Sequence, residues 1–155
     1  MNTMKTRLLL LACALPVMAA DPAGYKYWSS SELKGLEKSM SPKINAQKVA
    51  TEKVADYGNH YMLGAHREGS GEAEYHESEA DVFVVQSGAA TLIVGGQLQN
   101  GKTTAPGEIR APSIEGGSRQ KLSTGDVVHI PPKTPHQLLL DPGKQFTYFV
   151  VKVKQ

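Results

Sequence analysis

Along most of this chain apolar residues recur at every second position in short runs, and each run is closed by glycine, proline or a polar cluster. A period of two is the mark of half-buried strands. It predicts strands at residues 48–56, 59–66, 73–76, 80–86 and 90–95, with turns at Gly58, residues 69–71 and Ser87-Gly88. Residues 95–117 are richer in Gly, Pro, Ser and Thr around one strand-like piece at 109–114, which reads as a surface or lid excursion between two halves of a barrel. Beyond Leu122, further strands are predicted at 125–130, 137–140 and 146–153, the last two parted by the turn Asp141-Pro142-Gly143. Phe83, Val85, Leu138 and Leu140 take inward positions. Ahead of the strands the period changes. Ser29-Ser30-Ser31 supplies an N-cap, Leu33, Leu36 and Met40 share one helical face, and Pro42 ends the run, so a short helix is predicted against the bottom or outer face of the barrel. The same stripe is a candidate homodimer contact.

The first twenty residues break this pattern. A start containing Lys5 and Arg7, an apolar run over residues 8–17 and small residues at 19–20 have the form of a secretory signal peptide, with cleavage after Ala19 or Ala20. The apolar run is too short to span a bilayer, so a periplasmic or secreted protein is expected, with no membrane partner after cleavage. The chain then divides into a signal peptide (1–20), an N-terminal extension with the short helix (21–47) and one barrel domain (48–155). Cys13, the single cysteine, falls in the first of these, so the expected mature chain has neither thiol nor disulfide. Removing Lys5 and Arg7 from 17 Lys and Arg leaves 15 against 15 Asp and Glu, a balance that points to no nucleic acid.

Candidate chemistry gathers in two places. Glu74 and His76 lie two apart on a predicted strand and so share a face, and after the polar turn 77–80 Asp81 opens the next strand in phase with Phe83 and Val85. Further on, Gly125 opens a strand that runs into the turn Pro131-Pro132 and then His136. Two imidazoles and two carboxylates carry a formal charge of minus two, which a divalent ion would balance. Without one, two buried carboxylates repel and one takes up a proton. Such an N2O2 set suits Mn, Fe, Ni or Zn. A metal-free cluster of imidazoles paired with carboxylates is the alternative. His129, between Val128 and Ile130, faces out, while His60 and His66 read as strand and surface residues. Arg67-Glu68 reads as an exposed ion pair at the pocket rim, with capture of a substrate carboxylate by Arg67 as the other reading.

These two stretches resemble the motifs of the cupin superfamily. The first motif runs Gly, five residues, His-x-His, three or four residues, Glu, six residues, Gly. Here Glu74 stands for its first histidine, His76 for the second, Asp81 for the glutamate and Gly88 for the closing glycine. In the second motif Gly125, Pro131 and His136 are in register, while Lys133 replaces a glycine and Leu140 an asparagine. The resemblance covers roughly residues 48–153 and implies an all-β double-stranded β-helix, or jelly-roll, barrel behind the short helix. It also implies a divalent metal held by Glu74, His76, Asp81 and His136 for work on a small-molecule substrate, through dioxygenase-like oxidation, decarboxylation or isomerisation. Glu74, if not a ligand, is the candidate catalytic base. A non-catalytic module that binds or senses a small ligand is the second reading.

Overall fold

The computed structural model describes residues 20–155, so the predicted signal peptide lies outside the described residues except for Ala20. Twelve strands follow two short helices: Val49–Asp56 (β1), His60–Arg67 (β2), Ala73–His76 (β3), Glu79–Val94 (β4), Gln97–Gln99 (β5), Lys102–Ala105 (β6), Glu108–Ala111 (β7), Ser113–Glu115 (β8), Ser118–Ser123 (β9), Val127–Ile130 (β10), His136–Leu139 (β11) and Phe146–Lys154 (β12). β4 joins two layers. Its first half pairs with β12 and β10, which continue through β2 to β1; its second half pairs with β9 and β11, which continue through β3 and β7 to β6. Every pairing is antiparallel.

This bent strand corrects the prediction of two strands parted by a turn at Ser87-Gly88. Gly88 lies at φ +80°, and beside it the register with β12 shifts between Thr147 and Tyr148. A left-handed residue and a bulge together turn the strand from one layer into the other without ending it. Residues 95–117 are corrected as well: instead of a lid with one strand they form β5 to β8, and β7 pairs along the whole of β3. β9 was not anticipated as a strand at all.

Inward residues from both layers make one core. Ala65, Phe83, Val85, Leu92, Leu122, Ile130, Leu138, Phe146, Tyr148 and Val150 are all buried in it, including three of the four predicted inward residues; Leu140 completes the four at 9% exposure. Registers align them in rows across the first layer: Ala65–Tyr148–Val85, then Leu63–Val150–Phe83, then Tyr61–Lys152–Asp81. The rows turn from apolar to charged toward one end of the barrel, and there the candidate site lies.

The predicted helix is present but broken at Gly35 into Ser30–Lys34 (α1) and Leu36–Met40 (α2). Ser29 caps it with Glu32 in a reciprocal capping box. Leu36 and Met40 pack over Gly64, where a Cβ would come within 3.1 Å of both, so the helix covers the outer face of β2.

Candidate metal centre

His76 and His136 arrive from neighbouring strands of the second layer. Glu74 is in register with both Arg110 and His136, and His76 with Glu108, so these five side chains form two rows on one face. Asp81 and Lys152 face them from the first layer as direct register partners. The proline turn before β11 is fixed onto β3: Lys133 adopts φ +60° at the position of the motif glycine, and its N–H donates to the His76 carbonyl at 2.7 Å. That contact sets one motif against the other.

Hydrogen bonds determine both imidazole tautomers. His76 Nδ1 lies 2.7 and 2.8 Å from the two Glu108 carboxylate oxygens, and His136 Nδ1 lies 3.0 Å from the Thr134 carbonyl. Both partners only accept, so each Nδ1 carries a hydrogen, and in the neutral ring each Nε2 turns a lone pair inward. This is the orientation that outer partners impose on metal-binding histidines. Asp81 Oδ2 sits between them, 3.5 Å from His76 Nε2 and 3.4 Å from His136 Nε2. One oxygen of Glu74 lies 3.6 Å from His76 Nε2. Glu74, His76 and His136 each offer a donor atom within 4.8 Å of the others, so this cluster could hold a metal ion. The donor chemistry fits such an ion. His136 Nε2 is buried and has no hydrogen-bond partner, leaving two acceptors face to face across the centre.

Cations surround the carboxylates. Arg67 reaches one Glu74 oxygen at 3.1 Å and Arg110 the other at 3.3 Å, while Arg110 also donates to Glu108 at 3.1 Å. Lys152 Nζ lies 2.7 Å from His76 Nε2 and 2.6 Å from Asp81 Oδ1. Burial pushes the Asp81 carboxyl up, but His136, His76 and Lys152 outweigh it and hold the group well below the usual carboxylate range. Burial likewise raises Glu74, and Arg110, His136, Arg67 and Lys152 bring it below its ordinary value. This corrects the expectation that one carboxylate of a metal-free pair takes up a proton: the unforeseen cations offset their repulsion. For His76, burial works against the charged form, yet the Asp81 carboxylate more than compensates and the pKa is raised. The cluster opens onto a cavity of about 750 Å³, lined by Arg67, Glu74, His76, Glu108, Arg110 and Lys152 among others.

The structure thus brings all four predicted site residues together, adds Glu108, Arg110 and Lys152, which were missed, and corrects the exposed reading of Arg67. Arg67 is buried and paired with Glu74, not exposed beside Glu68. Its phase with Leu63 and Ala65 on β2 was the available signal. His66 is corrected too: it is fully buried, with Nδ1 2.8 Å from the Thr147 hydroxyl, on the side of β2 opposite the site. His129 is exposed, as predicted. Glu108 and Arg110 gave an alternating signal in Glu108-Ile109-Arg110-Ala111, but only pairing with β3 places them here. Lys152 continues the inward series Phe146, Tyr148, Val150.

No family model matches the chain, and no curated protein matches it. Solved structures do. An uncharacterized conserved protein with a double-stranded β-helix domain from Klebsiella pneumoniae aligns at a TM-score of 0.55 and 17% identity, over 84% of this chain and 90% of its own. A cupin 2 conserved barrel domain protein from Rhodopseudomonas palustris aligns at 0.50 and 18%, over 69% and 61%. The polyketide cyclase RemF from Streptomyces resistomycificus aligns at 0.50 and 17%, over 70% and 67%. At these identities the likeness establishes the architecture and leaves the chemistry to the site.

Proposed function

We propose that this chain, whose fold is that of the cupin superfamily, holds one divalent ion through His76, His136 and Asp81, with Glu74 as fourth donor, and acts on a small anionic, oxygen-rich molecule. One observation carries this reading: the buried His136 Nε2 lone pair faces an Asp81 oxygen at 3.4 Å with no donor between them. A buried acceptor left so costs about 1–3 kcal/mol, and a cation at His136 Nε2, facing the Asp81 carboxylate, removes that cost. Mn, Fe, Ni and Zn all suit two imidazole nitrogens and two carboxylate oxygens. Once bound, such an ion supplies Lewis-acid polarisation of a carboxylate or enolate oxygen.

The chain's own residues account for the rest. Glu108 and the Thr134 carbonyl keep both histidine lone pairs aimed inward. Arg67 and Arg110 line the cavity beside the centre and present guanidinium groups suited to a ligand carboxylate. Phe83 stands edge-on to His136 and packs on Tyr148, giving an apolar floor beneath the centre. Dioxygenase-like oxidation, decarboxylation and isomerisation are the reaction classes in view, the first favoured. Export to the periplasm or beyond the cell belongs to the same proposal and is supported by the pattern of residues 1–20.

The second reading, a binding module without turnover, is favoured by the engagement of Glu74. Both of its oxygens face arginines, which leaves no free base at the centre. Metal-loaded protein screened against small enediols, β-diketones and hydroxy acids, with oxygen uptake and product mass as readouts, separates the two. Turnover of one class is expected; tight binding of a compound with complete silence across the panel favours the module. With a substrate in hand, Glu74→Gln should lower metal affinity and turnover together. Turnover lost while the metal stays would make Glu74 a base instead of a donor.

A further inference from the structure

Lys152 stands where no metal-site motif calls for a cation. It occupies the inward face of β12 beyond Phe146, Tyr148 and Val150, and its side chain is 9% exposed. With the Nδ1 hydrogen of His76 given to Glu108, the ring keeps one acceptor lone pair, at Nε2, and the Lys152 ammonium donates into it at 2.7 Å. A metal ion at the centre needs that same lone pair, which serves one partner at a time.

Charge leads to the same place. Glu74, Asp81 and Glu108 bring three negative charges and Arg67, Arg110 and Lys152 three positive ones. Ion pairs link Arg67, Glu74, Arg110 and Glu108 in a chain and Lys152 with Asp81, and His76 bridges the two groups into one ring of polar contacts. With neutral imidazoles the ring is balanced while the ammonium is inside it. Adding a divalent ion leaves an excess of two positive charges in a poorly solvated site, against one if the ammonium departs.

We infer that Lys152 is a displaceable internal occupant of the metal position: its ammonium holds His76 and Asp81 together when no ion is bound, and a divalent ion enters by driving it out into the adjoining cavity. This rests on the metal reading above. Lys152 already lines that cavity, and its four-carbon stem gives the ammonium reach. Glu79 lines the same space, offering the displaced ammonium a carboxylate. The single positive charge then left over favours a monoanionic ligand beside the ion, the substrate class that Arg67 and Arg110 also suit. The lysine makes the site selective, because an ion must outcompete a charge that is already in place.

The test is calorimetric titration of zinc and manganese into wild type, Lys152→Met and Lys152→Gln. Methionine keeps the length and apolar stem without the charge. At least tenfold tighter binding by the variants is expected. Binding equal to or weaker than wild type would overturn the occupant role and leave the metal reading standing. No binding by any of the three, all folded by circular dichroism, would overturn both. Should the variants fail to fold, nitrogen-15 NMR of the Lys152 ammonium in wild type decides: zinc should shift that resonance as it leaves His76. A Lys152 signal unmoved while zinc perturbs the His136 ring overturns the displacement.

Discussion

Gly88→Ala is expected to cost at least about 3 kcal/mol, lowering the melting temperature by roughly 10 °C. Two effects combine. Gly88 sits at φ +80°, where an L side chain is strained, and a Cβ there would lie 2.0 Å from the Gln145 carbonyl oxygen and 3.1 Å from the Phe146 Cα. Those atoms are backbone, at the start of β12, and cannot rotate away. Because β12 carries Lys152 and β4 carries Asp81, any separation of the two strands also loosens the centre. Gly143→Ala is the control, with φ +73° but nothing within 4 Å of the added Cβ, and should cost only about 1 kcal/mol. Thermal melts of the two variants check this; equal losses would mean that strain alone, without the close approach to β12, accounts for Gly88.

The second large effect is expected at His136. His136→Ala should reduce metal affinity by roughly 100-fold or more, since even outer partners of metal ligands are worth about 10–100-fold. Glu74→Gln should lose much less, about 10-fold. The reason lies in their partners. His136 Nε2 has no hydrogen bond to give up before it ligates, whereas both Glu74 oxygens are held by Arg67 and Arg110. Calorimetric titration with zinc ranks the two. Equal or reversed losses would mean that the donor set is centred on Glu74 and not on the histidine pair.

How far the sequence alone reached depended on the range of the interactions involved. His76, Asp81 and His136 were legible because they fall in register with the two motifs the sequence resembles, and their meeting is a consequence of the fold those motifs imply. Gly88 was legible as a special position but misread as a turn: a Ser-Gly pair looks the same whether the chain reverses or bends within a strand, and only the contact with Gln145 distinguishes them. Glu108 and Arg110 were out of reach because the β3–β7 pairing joins residues more than thirty apart across a Gly- and Pro-containing stretch with no local mark of its register. Lys152 was the nearest miss. Its phase with Val150 and Tyr148 placed it inside, but a lysine near a strand end ordinarily carries its charge to solvent. Buried carboxylates from other strands hold it in, and no local pattern records them.

The most direct test of the metal centre is elemental analysis of chelator-stripped protein reloaded separately with Mn, Fe, Ni and Zn, beside a His76→Ala/His136→Ala double variant and Lys152→Met. About one ion per chain is expected in wild type for at least one metal, with a raised melting temperature, none in the double variant and tighter retention in Lys152→Met. Wild type and Lys152→Met that both emerge free of metal, with melting temperatures unchanged by every ion, would contradict the account and leave a metal-free polar cluster at the heart of the barrel.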